Sequence, residues 1–594
     1  METITTEVLV VGGGTGGTAA AIQAARRGAK TVLVSEGPWL GGMLTAAGVT
    51  APDGNELLAL QTGLWGAFLR ALEQRQPGGL DHAWVSFFTY EPRVGAAIFA
   101  DWVQALPHLT WIAGQRPRAV LRQGDRVTGV RFDRLTIQAQ ITLDGTELGD
   151  LLALGDIPHR WGWDDPDQFS EPSAPGSLTD PADPLHAMVQ TYPVQAPTWV
   201  VVMQDFGPGE TAPAIPPPPD YDPTVFEGAW QGYGPERFLD YGRLPGDRFM
   251  INWPHHGNDY GVDLQRLVQG DDAWTAWAKA AIAHSQGFAH YIQSQLGRRY
   301  GLATDTFPTD PQGLGGGAFA LQPYYRESRR LVGLTTVTET DILPRPGGQV
   351  APLPVDAQGK ATAIACGNYP NDHHYPGFDL PLAPKARRWG GRWTGTPFTI
   401  PYGALVPATV DGLIACDKNM AISHLANGAT RLQPVVLAVG QAAGMAAALC
   451  IEHNCHPRQL AAGAVQQALL HDPIAAAAVI PCYDLPPHHP DWVAVQQRYC
   501  DRPDTYPVDG ISGVTPIPAS PAPPAQTVSG PVQRGPQGDD WQLVTTALGP
   551  TPWPLVTLCP AVQQQFQTWQ PGQQVTVQAI ANPHGPWLRA LATM

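Results

Sequence analysis

The chain has 594 residues, with 36 basic against 52 acidic side chains and a net charge of −16. At roughly 100 to 200 residues per domain, this length points to three or four units, and the acidic balance gives no basic footprint for nucleic acid. No run of 18 apolar residues predicts a membrane span, and the first strand begins without a signal-peptide pattern, so the expected location is cytoplasmic.

The chain opens on VLVVGGGTGGTAAAIQAARRGAKTVLVSEG, residues 8–37. Val8 to Val11 reads as a buried parallel strand, and Gly12, Gly14 and Gly17 then fall at the G-x-G-x-x-G spacing before an alanine-rich helix. A second strand, Thr31 to Val34, leads to Glu36, where an acceptor for ribose hydroxyls belongs. In that order the glycines permit a tight turn, let backbone approach a pyrophosphate and pack helix on strand. A carboxylate at Glu36 disfavours a 2′-phosphate, so an unphosphorylated adenosine is expected.

Next comes GPWLGGMLTAAGVT, 37–50, whose Gly41-Gly42 pair reads equally as a close approach to a bulky ligand or as an ordinary turn. Two β-rich runs around Gln123-Gly124-Asp125 predict a hairpin, and TIQAQITLDG, 136–145, predicts a further buried strand. Residues 208–223 (PGETAPAIPPPPDYDP) read as an extended surface loop, since proline runs join neither sheet interiors nor helices. GLGGGA, 313–318, mimics a second glycine motif but follows no strand, and reads as a loop.

Near residue 412 a short buried strand, Gly412 to Cys416, precedes a long small-residue helix beginning around 431–434 and containing Gly440-Gln441-Ala442-Ala443-Gly444. Small residues there allow close approach to a ligand or close packing to the sheet. The proline-rich stretch 515–538 reads as linker, and the last 56 residues as a small all-β module. Seven cysteines are scattered without a C-x-x-C, which excludes the usual dithiol motif and any obvious zinc site, so no metal is expected.

Candidate chemistry lies in NWPHHGNDYG (252–261), YYRESRR (324–330), YPNDHHYPG (369–377) and SHLANGATR (423–431). Arg326, Arg329 and Arg330 offer forks for an oxyanion, although Glu327 among them equally allows an internal ion-pair network. Arg326 is the first choice. His373 and His374, with Asp372 to fix a tautomer, and His424 are candidate acids or bases; His255 and His256 compete, and each also reads as a structural or exposed histidine.

GGGTGGTAAAIQAARRGA, TVLVSEGPWLGGMLT, LDGTELGDLLALG, PYYRESRRLVG, FTIPYGALVP and ACDKNMAISHLANGATRLQPVVLAVGQAAGMAAAL together resemble successive motifs of the FAD-dependent oxidoreductases of the glutathione reductase-like superfamily, in particular the FAD_oxidored family. The resemblance covers about residues 5–470. It implies a Rossmann-like FAD-binding α/β fold in two parts, 1–160 and 396–475, around an inserted substrate or cap domain, 161–395. A proline-rich linker region, 476–538, and a β-rich module, 539–594, would follow.

It further implies that Gly12, Gly14, Thr15, Gly16 and Gly17 hold the FAD pyrophosphate and Glu36 the adenosine ribose. Gly41, Gly42 and Met43 would approach the ribityl chain and flavin, Val120 the adenine, and Asp417 the cofactor. Gly440, Gln441, Ala442, Ala443 and Gly444 would direct helix N–H groups to the flavin pyrimidine edge, where reduced flavin is anionic. Where many relatives carry Ala-Thr-Gly, this chain has Gly145-Thr146-Glu147. The expected function is hydride transfer between bound FAD and a small organic substrate, with an unidentified electron acceptor; alternatives are non-redox lyase or isomerase chemistry, a transferase-like modifying enzyme, and a structural FAD-binding protein.

Overall fold

The computed structural model describes residues 2–309, 313–517, 525–536, 538 and 540–594; residues 518–524 and 537 of the expected linker lie outside them. Strand β1 (Glu2–Val11) leads through the glycine turn into helix α1 (Thr15–Arg26), then β2 (Thr31–Ser35). Then follow β3 (Leu109–Ala113), β4 (Pro117–Gln123), β5 (Arg126–Phe132) and β6 (Leu135–Asp144). The sheet order is β3-β2-β1-β6-β5-β4, with β1 to β3 and β6 parallel and the β4–β5 hairpin antiparallel. Val8 to Val11 are fully buried, the environment that a β-branched run needs when both faces of a sheet are covered.

Between this sheet and its last strand lies an antiparallel sheet of β7 (Val201–Asp205), β8 (Arg243–Leu244), β9 (Arg248–Ile251) and β10 (Tyr300–Leu302), in the order β10-β7-β9-β8. Helix α2 (Asp271–Leu296) packs against it through Trp277, Ala278, Phe288 and Ile292. Strand β11 (Leu413–Ala415) then rejoins the first sheet beside β6, in parallel. That return brings residues distant in sequence against the glycine turn.

Helix α3 (His424–Thr430) and helix α4 (Gln433–His453) follow. By length and composition α4 could cross a membrane, but 89 % of its apolar window is buried in the protein, the setting of a core helix. It lies on α1 because a Cβ at Gly440 would stand 2.2 Å from the Gly16 carbonyl oxygen and one at Gly444 2.2 Å from that of Ala20.

The segment 476–538, expected as linker throughout, is not uniform. Val479, Ile480, Cys482, Tyr483 and Leu485 are buried in the main core, and helix α5 (Trp492–Asp501) packs there through Trp492, Val495 and Tyr499. Apolar residues at three- and four-residue spacing outweigh the local proline content. The C-terminal unit is a closed five-stranded barrel of β12 (Gln526–Arg534), β13 (Trp541–Leu543), β14 (Trp553–Val556), β15 (Gln574–Asn582) and β16 (Trp587–Thr593), with helix α6 (Pro560–Phe566) between β14 and β15. It docks on Asp81, which takes Asn582 Nδ2 at 2.7 Å and Arg589 Nε at 3.0 Å, while Trp587 packs on Phe87.

Candidate cofactor and substrate site

The first glycine turn is stapled to the second. Gly12 N–H donates to Val34 O (2.8 Å), Gly41 N–H to Gly13 O (3.0 Å) and to Thr18 Oγ1 (3.0 Å), and Thr15 Oγ1 to Gly41 O (2.8 Å). A Cβ at Gly42 would lie 2.7 Å from Gly14 Cα and from Thr15 N, so only a glycine lets the two turns meet. Gly13 and Gly14 carry N–H groups without an acceptor among the described residues, at the start of a helix with no acidic residue in its first turn. These are the terms on which a helix N-terminus holds a pyrophosphate. Met43, just beyond, is buried in the core of the antiparallel unit.

The residues around this turn divide their work. A Cβ on Gly16 or Gly17 would strike Cys416 O or Gly12 O, so both serve the packing of helix on strand. The Gly16 N–H is already taken by Asp417 Oδ2 at 2.8 Å. Lys418 Nζ, with its side chain fully buried, reaches Asp417 Oδ1 at 2.9 Å and Glu147 Oε2 at 2.6 Å. Burial alone would lower the lysine, but the two carboxylates outweigh it and hold the ammonium charged. The departure at Glu147 thereby becomes an ion pair placed over Gly14 and Gly42, a feature that the motif did not predict.

Glu36 stands just past β2, its side chain nearly half exposed, with Oε2 2.8 Å from Arg116 Nε. Arg116 lies over the Trp274 ring at 5.4 Å. Val120, expected beside the adenine, is paired with Val130 in the hairpin, four residues beyond Arg116. The sequence reading missed Arg116; its signal was its position at the strand that follows β3.

The role expected of Gly440 to Gly444 needs correction. They sit in the third and fourth turns of α4, with their N–H groups inside the helix, so they cannot direct free donors at a ligand. Gly440 and Gly444 admit α1, while Ala442 and Ala443 are core. Gln441 accepts from Leu64 N–H (2.8 Å) and donates to Gln23 (3.1 Å) and Ala475 O (2.8 Å). The helix begins at Gln433-Pro434, and its positive end lies there. The sequence reading already begins this helix around 431–434, with Pro434 in its first turn.

The candidate catalytic side chains form two buried networks. Arg326, 1 % exposed, donates to Thr198 Oγ1 (2.9 Å) and Asp259 Oδ1 (3.0 Å). It is an internal ion-pair residue, and the reading of Arg326 as a free fork for substrate fails. Asp259 Oδ2 meets His374 Nδ1 at 2.6 Å, and His374 Nε2 meets Asp372 Oδ2 at 2.9 Å. Arg431 Nη2 also donates to Asp372 Oδ2 at 3.0 Å. Burial would raise both aspartates, but Arg326 and His374 hold Asp259, and His374 and Arg431 hold Asp372, well below the usual carboxylate range.

The second network joins His424, Tyr375 and His373. His424 Nδ1 meets Glu327 Oε1 at 2.8 Å and its Nε2 meets Tyr375 Oη at 2.6 Å. Tyr375 Oη lies 3.0 Å from His373 Nδ1, whose Nε2 donates to Leu425 O at 3.1 Å. Burial and the neighbouring His424 lower the His373 ring to about 3, so it is neutral with both nitrogens occupied. Glu327 also binds Arg330, and Arg329 pairs with Asp150 at 3.0 Å. His373, His424 and all three arginines are thus committed internally, whereas His255 and His256 are exposed. Among the described residues no group of three or more His, Cys, Asp or Glu is arranged to hold a metal.

A family model for FAD dependent oxidoreductases matches residues 7–469. The chain belongs to that family.

Its cofactor is FAD. No curated protein matches this FAD-dependent oxidoreductase in sequence. Its likenesses among solved structures are local. A thioredoxin reductase from T. acidophilum is 19 % identical at TM-score 0.16, over 24 % of this chain and 36 % of that one. A p-nitrophenol 4-monooxygenase from Pseudomonas putida DLL-E4 is 12 % identical at TM-score 0.20, over 35 % and 49 %. The THI4 protein of Thermovibrio ammonificans is 16 % identical at TM-score 0.21, over 27 % and 67 %. The chain spans less than half the length of the first two.

The residues present fit FAD. The open N–H groups of Gly13 and Gly14 suit its pyrophosphate, the half-exposed Glu36 its adenosine ribose, and Lys418 supplies a buried cation between Asp417 and Glu147.

Proposed function

We propose that this oxidoreductase takes two electrons from a small organic substrate bound between the glycine cradle and the residues of the 161–395 region. FAD, when bound, supplies the two-electron acceptor. The chain supplies orientation, charge and exclusion of water. The α1 N-terminus fixes one end of the cofactor, and Asp372, beside Arg431 at the entry to α4, gives the substrate space a fixed carboxylate.

The observation that carries this reading is the Gly42 turn closed on Gly14 and Thr15, which leaves the Gly13 and Gly14 N–H groups open for a dinucleotide. Anaerobic addition of a metabolite pool tests it. Bleaching of the bound flavin is the expected result; a flavin that binds but never bleaches with any pool overturns the redox assignment in favour of a non-redox reaction.

A further inference from the structure

Asp372 keeps 41 % of its side chain accessible, although the residues that hold it, Arg431, Arg326 and Asp259, are almost fully buried. Its hydrogen bonds are one-sided. His374 Nε2 and Arg431 Nη2 both go to Oδ2, and Oδ1 has no partner among the described residues. The carboxylate is held by one oxygen and presents the other.

What holds it is a chain of hydrogen bonds. Arg326 grips Asp259 at 3.0 Å, Asp259 grips His374 at 2.6 Å, and His374 grips Asp372 at 2.9 Å. Both ring nitrogens of His374 face carboxylate oxygens. Arg431 is also committed, through Nη1 to Tyr324 Oη at 2.5 Å. The Nη groups of Arg431 are thus taken by Tyr324 and Asp372 and those of Arg326 by Asp259 and its neighbours, while the buried Nε of each has no partner among the described residues.

Asp53 lies near Asp372 and Glu56 and also near Arg392 and Arg431, burial raises its carboxyl, and it has no hydrogen bond or ion pair among the described residues. Its neighbour Gly54 packs on Tyr369, 3.6 Å from an added Cβ to the tyrosine Cβ. Tyr369 and Tyr241 complete the surroundings of the two acids, and Tyr241 lies among Trp84 and Trp253. Open carboxylate oxygens beside aromatic rings are the chemistry that receives an organic cation.

We infer that Asp372 anchors a protonated amine through Oδ1, with Asp53 facing the same cation, and that Arg326, Asp259 and His374 are positioning residues for Asp372. This rests on the proposed two-electron oxidation of a small substrate and names its class.

The experiment separates a metabolite pool on a cation-exchange resin and adds each fraction anaerobically to the flavin-loaded protein. Bleaching by the retained, cationic fraction alone is expected. Bleaching by the neutral or anionic flow-through overturns the amine assignment while leaving the redox reading intact, and bleaching by neither overturns the redox reading itself. Asp372→Asn should keep its flavin and lose at least 100-fold in kcat/KM for the retained fraction, mainly through KM. That fraction should also raise the melting temperature of the wild type but not of the variant. Should Asp372→Asn fail to fold, Asp53→Asn, which breaks no hydrogen bond, should raise KM at least 10-fold; an unchanged KM in a folded variant of either kind contradicts the proposal.

Discussion

Two glycines make a controlled pair. Gly12 and Gly28 adopt nearly the same backbone conformation, φ +107° and +108°, but a Cβ on Gly28 meets nothing within 4 Å, while one on Gly12 would lie 2.1 Å from the Gly145 carbonyl oxygen. Gly28→Ala therefore carries backbone strain alone, about 1–2 kcal/mol. Gly12→Ala adds overpacking of about 1–3 kcal/mol, for a sum of about 2–5 kcal/mol. The excess must be met by moving Gly145 away from β1, to which Gly145 N–H donates at Val11 O (2.8 Å), or by opening the turn over α1. Either movement disturbs the N–H groups of Gly13 and Gly14, so the Gly12 variant should also lose flavin. Denaturant unfolding and the flavin-to-protein ratio of the two purified variants measure both effects. Equal destabilisation, with full flavin in Gly12→Ala, would refute the close-approach reasoning.

Other perturbations follow from the same geometry. Lys418→Met leaves Asp417 and Glu147 without their shared cation and should destabilise by about 3–5 kcal/mol, with part recovered in Lys418→Met/Glu147→Gln, as read by thermal unfolding. Burial raises the Asp144 carboxyl to about 7 against the hydrogen bonds from Thr146. The folded state therefore keeps a proton that the unfolded state has lost between about pH 4 and 7. Stability should fall with rising pH across that window, by at most about 1.4 kcal/mol per pH unit from this group, and Asp144→Asn should flatten the dependence in denaturant titrations. Arg589→Met withdraws a cation from buried Asp81 and should loosen the barrel first, seen as faster amide exchange in β15 and β16 than in β1.

The dinucleotide turn was legible because its chemistry is local: strand, glycines, helix, second strand and acid lie within 30 residues, and each step has one physical reason. The β4–β5 hairpin and the β-rich tail were legible for the same cause. Gly440-Gln441-Ala442-Ala443-Gly444 was not, since small residues serve a ligand and a neighbouring helix alike, and only the position of α1 decides. The network around Asp372 was illegible in a deeper way. Arg326 and Asp259 lie 67 residues apart, and Asp259 and His374 lie 115 apart, so no spacing reveals that the arginine serves the aspartate. The motif NDHH offered a histidine oriented by an aspartate; in the fold it is the histidine that orients the aspartate.

The central claim, that the stapled glycine turns hold FAD, is tested most directly by denaturing the purified protein and identifying the released cofactor by chromatography and mass. FAD at about one per chain, reduced in Gly12→Ala and retained in Gly28→Ala, is the result predicted. Release of FMN or of a nicotinamide dinucleotide instead, or no cofactor even after incubation with FAD, would contradict it.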